Sequence, residues 1–261
     1  MERLSFASLT LSVMTSHKRL KLRQCTNCEC VINGVWEWVE ECARGAAAEE
    51  PAMRGILDDV CLSRNSLATS ISARLARKLS RRDMPRELIE PLIREALTED
   101  QNILSQIAQD LIAIVDRDPA CRTPLEPLLF YKGFHAITTY RISHWLWQHN
   151  RTIMALQFQS LASEVFAVDI HPAATIGCGI LLDHATSFVV GETAIIRDNV
   201  SICLKSRWAA RARKKGTAIP SWNPEFLSAR GLKYWGASPL APAPKSQPAP
   251  SFWKMSPPIP R

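Results

Sequence analysis

The 261-residue sequence contains no apolar run that approaches the ~18 residues of a membrane-spanning helix. Its residues are 46% hydrophobic and 22% charged, as in globular proteins that bury a sizeable core. We therefore expect neither an integral membrane protein nor a membrane partner. Residues 1–34 also lack the continuous apolar segment of a secretory signal, and they carry only two acids, Glu2 and Glu29. We interpret them as a disordered leader, with a weak similarity to an organellar transit peptide.

The regular cysteine spacing of a disulfide-stabilised domain is absent as well. The eight cysteines are scattered along the chain, which predicts free thiols in a reducing compartment. We therefore expect the cytoplasm, or an organelle if the leader is a transit peptide. Cys25, Cys28 and Cys30 form a C-x2-C-x-C cluster, but no fourth zinc ligand follows at the usual spacing. We expect no metal site and read the cluster as part of the leader.

Acidic residues are nearly missing from residues 204–261, which hold eleven Lys/Arg and only Glu225 as an acid. The preceding residues carry 21 bases and 24 acids, so the positive net charge of +7 arises from this tail alone. The tail contains ten of the 17 prolines and four of the eight tryptophans, without periodicity. It fits a disordered basic tail, a nucleic-acid-binding extension or a shifted reading frame.

Helical periodicity runs from about Trp36 to Ala167 and predicts a helical bundle. The sequence Thr98-x-x-Gln101 is a capping-box signature for a helix over residues 99–115. The other indications are apolar residues at i+4 spacing (Leu67, Ile71, Leu75, Leu79), a helix opened by Pro85, a long apolar helix that starts at Pro124 or Pro127, and a last helix over Thr152–Phe166.

The period changes to six residues at Asp169, which neither a plain strand nor an α-helix produces. Such a period is typical of a prism-shaped parallel β-helix, in which three faces form one coil of about eighteen residues. The stretch is long enough for about two coils, and the expected inward residues are Ile170, Ile176, Leu182, Phe188, Ala194 and Val200.

Four strings in this region resemble the serine O-acetyltransferase family of cysteine biosynthesis. They are DRDPAC (116–121), PLLFYKGFHAITTYRISHWLW (127–147), VDIHPAATIGCGILLDHATSFVVGETAII (168–196) and DNVSI (198–202). The resemblance implies an α+β fold with an N-terminal helical bundle over residues 35–167. A partial left-handed parallel β-helix of hexapeptide repeats follows over residues 168–203, and then the unrelated tail. The implied reaction transfers acetyl from acetyl-CoA, a co-substrate, to L-serine, with no bound cofactor.

The tail departs from the family pattern, and the genetic code accounts for the departure. Codons rebuilt in one shifted frame can read GDRHPK and VLIGAGAKILG, which resemble the family's substrate loop and a later coil. We therefore predict that the chain is a serine acetyltransferase whose frame changes near Cys203. The basic tail is then no evidence for a nucleic-acid partner, and none is expected.

The catalytic residues that the resemblance implies are His184, in LDHAT, and Asp169, in VDIHP. His184 would take the proton of the serine hydroxyl, and Asp169 would hold the imidazole in the required tautomer. Asp169 precedes His184 by fifteen residues, close to one predicted coil, so stacking could bring the two together. The alternatives are a histidine bonded to the prism wall and an aspartate that caps the first coil.

Three further acids match substrate-binding positions of the family. Asp118 and Asp183 match carboxylates that bind the substrate ammonium, and Glu192 is a weaker candidate. The alternative for Asp118 is a plain Asp-Pro turn residue. His135 and His171 also match family positions, and we interpret both as packing or loop-anchoring residues.

The resemblance further implies a homo-oligomer, either a trimer or a hexamer, and docking to O-acetylserine sulfhydrylase. The C-terminal peptide that docks in the family is replaced here by Ile259-Pro260-Arg261. An alternative function is therefore an inactive truncated relative that joins intact enzyme through its helical domain.

Overall fold

The computed structural model describes residues 27–203 as a helical region followed by short parallel strands. The leader up to residue 26 and the tail, including the predicted frame change after Cys203, lie outside the described residues. The helices are α1 (Cys28–Glu49), α2 (Arg54–Leu57), α3 (Leu67–Leu79), α4 (Arg86–Glu99), α5 (Gln101–Arg117), α6 (Leu125–Phe130), α7 (Lys132–Gln148) and α8 (Thr152–Phe166). The strands are β1 (Val168–Ile170), β2 (Thr175–Ile176), β3 (Leu181–Asp183), β4 (Phe188–Val190), β5 (Ile195–Ile196) and β6 (Ser201–Cys203).

Short polar side chains fix where several helices begin. Asn27, Ser66 and Asp100 each accept a hydrogen bond from a backbone N–H in the first turn of α1, α3 and α5. The predicted capping box at Thr98 is wrong, because Thr98 lies inside α4 and its hydroxyl donates to the Arg94 carbonyl. The cap of α5 is Asp100, two residues later, whose carboxylate lies 2.9 Å from the Asn102 nitrogen.

The predicted helical bundle is confirmed, with two differences in the bounds of its helices. Helix α1 begins at Cys28, within the segment that we read as leader. The long apolar helix predicted from Pro124 or Pro127 is divided at Tyr131, whose extended backbone separates α6 from α7. Helix α8 spans Thr152–Phe166, as predicted. One continuous apolar core joins the bundle to the strands.

The strands form three two-stranded parallel sheets, in which β1 pairs with β4, β2 with β5, and β3 with β6. The register pairs Val168 with Phe188, Thr175 with Ile195 and Leu181 with Ser201. Each pair is separated by twenty residues, so the coil is two residues longer than the predicted eighteen. These parallel coils confirm the coiled arrangement that the six-residue period predicts.

The extra residues lie between β3 and β4, where the chain bulges over residues 184–187. The inward series therefore shifts by two at this point: Ile170, Ile176 and Leu182 are continued by Val190, Ile196 and Ile202, all 6% exposed or less. Phe188 and Ala194, predicted to continue the series, are only partly buried. They stack instead on Val168 and Ala174, the residues twenty positions earlier.

Helix α7 contacts the lower edge of the first coil, and its side chains bond the backbone groups that an edge leaves unpaired. Tyr140 donates its hydroxyl hydrogen to the Ala174 carbonyl and accepts from the Ile176 N–H. His144 donates from Nδ1 to the Pro172 carbonyl over 2.6 Å. The helical region therefore provides hydrogen-bond partners for backbone groups at the open end of the prism.

A buried ion pair joins the same helix to α5 and to the coil. The Arg141 guanidinium contacts Asp110 Oδ2 from Nε and a terminal nitrogen, at 2.9 and 2.8 Å, with both side chains at most 2% exposed. Asp110 Oδ1 accepts from the Ile180 N–H, and Arg141 also donates to the Gly177 carbonyl. Arg117 adds a bond to the Gly179 carbonyl. These bonds hold α5, α7 and the turn at residues 177–180 together.

Two features of the described residues bear on expectations from the sequence. The cysteines that are not oxidised to disulfides, among the described residues, include Cys28, Cys42, Cys61, Cys121, Cys178 and Cys203. Between residues 27 and 203, no helix combines the length and the apolar character needed to cross a membrane.

Candidate active site

His184 lies on the bulge between β3 and β4, with its imidazole 59% exposed. The backbone is left-handed at His184, Ala185 and Ser187, with φ angles of 59°, 53° and 63°. Non-glycine residues adopt this conformation at a cost of about 1–3 kcal/mol each and only where the surroundings enforce it. Such strain is concentrated at functional sites, so it marks the corner as a candidate independently of any motif.

Residues in the first turn of α7 contact this bulge. Gly133 packs so closely that a Cβ at this position would lie 1.9 Å from the Leu182 carbonyl oxygen and 3.4 Å from Ala185 Cβ. Lys132 donates a hydrogen bond to the Thr186 hydroxyl. From the other side, the Ser187 N–H donates to the Ala167 carbonyl over 2.9 Å. The bulge is therefore fixed to α7 and to the end of α8.

Asp183 and Asp118 both lie beside the histidine corner. Asp183 Oδ2 is 3.6 Å from His184 Nε2, which is an ion-pair distance rather than a hydrogen bond. Burial raises the pKa of Asp183 above its ordinary value; His184 opposes the rise, and the Asp118 carboxylate adds to it. The chain thus brings two carboxylates from distant segments close enough to repel each other.

Asp118 follows α5 and begins an Asp-Pro turn. Its carboxylate Oδ1 accepts from the Ala120 N–H over 2.8 Å, which is the turn geometry of the alternative interpretation. The negative charge of Asp118 nevertheless acts on Asp183 and Cys203, because it raises the pKa of both side chains. Arg117, the preceding residue, is bonded to Asn199 and Ser201 and so fixes the loop against the second coil.

Asp169 lies in the middle of β1, and its register partner is Val189 rather than a residue of the His184 bulge. The sequence argument that stacking places Asp169 near His184 assumed an eighteen-residue coil, and the coil is longer. Among the described residues, the hydrogen bond of the Asp169 carboxylate is with Gln159, whose Nε2 donates to Oδ1 over 2.6 Å. The structure thus places Asp169 on β1, which pairs with β4, the strand that begins just after the bulge.

The remaining candidates lie apart from this corner. Glu192 is exposed on the turn after β4, so β4 separates it from His184. His171 accepts from the Ala173 N–H at Nδ1 and contacts the Trp147 ring, and His135 is 1% exposed. Burial lowers the pKa of His135 to about 3, and its Nε2 donates to the Leu128 carbonyl. Both contacts agree with anchoring and packing.

Sequence reasoning missed the residues that support the corner. Gly133 is one of only ten glycines and lies inside a helix, where glycine is unfavourable, so its position was an available signal. Gln159 shares its segment with two other polar residues, Gln157 and Ser160, so the sequence does not distinguish it. No local pattern distinguishes Lys132 from other exposed lysines.

The geometry of the corner suits transfer of a proton at an exposed position beside anionic groups. The exposed His184 imidazole is accessible to a substrate hydroxyl, and a neighbouring carboxylate stabilises the imidazolium that forms when the ring takes a proton. The paired carboxylates Asp118 and Asp183 would attract a cationic group such as an ammonium. The described residues contain no cluster of three or more side chains suited to a metal ion.

Comparisons with known proteins agree on one family. A family model described as the N-terminal domain of serine acetyltransferase matches residues 35–139. The serine acetyltransferase of Salmonella typhimurium is 39% identical over 202 residues, which cover 77% of this chain and 74% of that protein.

Solved structures give the same result. A soybean serine acetyltransferase complexed with serine is 45% identical, with a TM-score of 0.63, over 65% of this chain and 70% of that one. A serine acetyltransferase complexed with CoA is 43% identical, with a TM-score of 0.64, over 65% of this chain and 72% of that one. The identity, the coverage and the shared fold together place this chain in the serine acetyltransferase family.

Proposed function

We propose that this chain transfers the acetyl group of acetyl-CoA to the hydroxyl of L-serine, which gives O-acetyl-L-serine and CoA. The observation that carries the proposal is the exposed His184 imidazole on a strained bulge, beside Asp183 and within reach of the Asp118 charge. The serine and CoA complexes of solved family members support the choice of both substrates.

His184 acts as the general base in this proposal. A neutral serine hydroxyl is a weak nucleophile, so the imidazole takes its proton as the oxygen attacks the thioester carbonyl. The tetrahedral intermediate then expels the CoA sulfur, which receives the proton from the imidazolium. The bond between carbon and sulfur is replaced by one between carbon and oxygen, and His184 returns to its neutral form.

Asp169 orients the base, and Asp183 and Asp118 bind the serine ammonium. Mutual repulsion and burial disfavour the ionised form of Asp183 in the free protein. A bound ammonium relieves that repulsion, so binding and ionisation are coupled. Glu192 is a weaker candidate for a substrate contact, because β4 lies between it and the corner.

Assembly, domain division and compartment complete the proposal. We assign residues 28–167 to the helical domain, because α1 begins at Cys28, and residues 168–203 to a partial β-helix. The protein is a homo-oligomer; support comes from Val189 and Ile195, which are 69% and 52% exposed on the second coil. The cytoplasm is the compartment that the free thiols favour. The replaced docking peptide for a sulfhydrylase, at residues 259–261, lies outside the described residues.

The proposal is tested by measuring CoA thiol release from acetyl-CoA with and without L-serine, using the purified full chain. We expect serine-dependent release that His184→Asn lowers by about 10²–10⁴-fold. His149→Asn, at an exposed histidine that stacks on Trp145, is the matched control and keeps wild-type turnover.

The substrate assignment has its own readout. Asp118→Asn raises KM for serine at least tenfold and leaves KM for acetyl-CoA within twofold of the wild-type value. Wild-type protein that folds but releases no CoA in the presence of serine would overturn the proposed function. An equal effect of Asp118→Asn on both KM values would overturn only the role of Asp118.

A further inference from the structure

The Gln159 side chain contacts the carboxylate of Asp169, a candidate catalytic residue. No sequence motif includes Gln159. Helix α8 ends at Phe166, and Ala167, with a left-handed φ of 56°, turns the chain directly into β1. This reversal brings Asp169 back against the helix residue ten positions earlier. Gln159 Nε2 then donates to Asp169 Oδ1 at 2.6 Å, a short distance for a neutral amide donor.

The surroundings of Gln159 make this bond specific. The residue is half-buried and lines a small cavity between α7, α8 and β1. Three hydroxyl groups, those of Thr139, Tyr140 and Ser143, line the same cavity, and each donates to a backbone carbonyl. The hydrogen bond of the Gln159 side chain is with Asp169.

We infer that Gln159 is a positioning residue that fixes the Asp169 carboxylate in the orientation needed to accept the second N–H of the catalytic histidine. This inference rests on the proposed function, in which Asp169 orients His184. A carboxylate rotates easily about its last bond, and a donor on Oδ1 fixes its plane and leaves Oδ2 for the imidazole.

The chemistry of the donor supports this role. An arginine or lysine at position 159 would pair with the Asp169 charge and weaken its effect on an imidazolium. A glutamine amide is neutral, so it holds the carboxylate while the negative charge remains available. The inference therefore predicts an effect on the protonation of His184 and on kcat, with little effect on substrate binding.

The first test is the steady-state kinetics of Gln159→Leu in the full chain, with Gln157→Leu as a matched control on the same helix. We expect kcat to fall at least tenfold in Gln159→Leu, while KM for serine and for acetyl-CoA stays within twofold. Gln157→Leu keeps the wild-type values. Thermal unfolding of both variants shows whether the fold is retained.

The second variant, Gln159→Glu, separates positioning from packing, because glutamate fills the same volume. The introduced carboxyl can share a hydrogen bond with Asp169 only when one of the two groups is protonated. The pH profile of kcat for this variant therefore gains a descending limb as pH rises, which Gln159→Leu lacks. A Gln159→Glu profile with the wild-type shape would contradict the inference.

An NMR titration of the His184 imidazole, which needs no turnover, distinguishes this inference from the proposed function. The pKa of His184 falls in Asp169→Asn, and it falls in the same direction in Gln159→Leu. If both variants lower the His184 pKa but the wild-type protein has no turnover, the proposed function fails and the positioning role stands. If turnover is present and Gln159→Leu matches Gln157→Leu in kcat and His184 pKa, the positioning role is overturned.

Discussion

Replacement of Gly133 by alanine tests the contact that fixes the histidine bulge. The added Cβ would lie 1.9 Å from the Leu182 carbonyl oxygen and 3.0 Å from its carbon. An ordinary Cβ contact begins at 3.4 Å, so α7 and β3 must separate by more than an ångström. Both neighbouring groups are backbone, and neither can rotate away.

Two opposing energies determine the loss of stability. Overpacking of a tight contact costs about 1–3 kcal/mol, and alanine recovers up to about 1 kcal/mol of helix propensity. Because the overlap is severe, the cost lies near the upper end of its range, and we expect Gly133→Ala to lower the free energy of unfolding by about 2 kcal/mol. For a protein of this size that is a decrease of about 4–8 °C in Tm.

The activity of Gly133→Ala falls further than its stability, because Asp183 and His184 directly follow Leu182 in the chain. A displacement of about 1 Å at reacting groups can cost about 100-fold in rate. Serine-dependent CoA release and thermal denaturation check the two effects. Gly45→Ala in α1 is the control, since nothing lies within 4 Å of its added Cβ. The reasoning is refuted if Gly133→Ala retains both wild-type Tm and wild-type kcat.

The other predictions concern groups buried between the helices and the coil. Arg141→Met leaves the Asp110 carboxylate buried without its counter-ion, so urea denaturation should show a loss of about 3–5 kcal/mol. The double variant Asp110→Leu/Arg141→Met should lose less than the sum of the single variants, and strict additivity would contradict the pairing. Burial lowers the pKa of His135 to about 3, below its unfolded value of about 6.5. The unfolded chain therefore binds more protons between these values, and stability falls as pH decreases from 6.5 towards 3, by up to about 1.4 kcal/mol per unit. His135→Gln, which keeps a donor for the Leu128 carbonyl, should lose less stability over this range, and equal pH dependence in both proteins would contradict it.

Local sequence patterns predicted most of the elements. The i+4 series of α3, the proline before α4 and the apolar run of α8 specify helices by short-range periodicity. The capping box at Thr98 failed because a capping signature also occurs inside helices, and Asp100 provides the cap. The break at Tyr131 has no local marker that separates it from a continuous apolar helix.

The β-helix was predictable in type but not in register. Two overlapping series of buried residues have a six-residue period in this region. The sequence alone does not show which of them continues across the bulge. Only the strand pairing shows that the series shifts by two and that a coil has twenty residues. The same shift removes the argument that fifteen residues bring Asp169 onto His184, so their proximity stays a prediction.

The sequence by itself determined the family, the helical and coiled regions and the identity of the candidate site residues, because these depend on motifs and on local periodicity. Only the tertiary structure decided that Gly133 lies beneath the bulge, that Gln159 holds Asp169, and that Asp118 and Asp183 repel each other. Those contacts join segments separated by ten to 65 positions. No local pattern encodes them, since they arise only when the helices pack against the first coil.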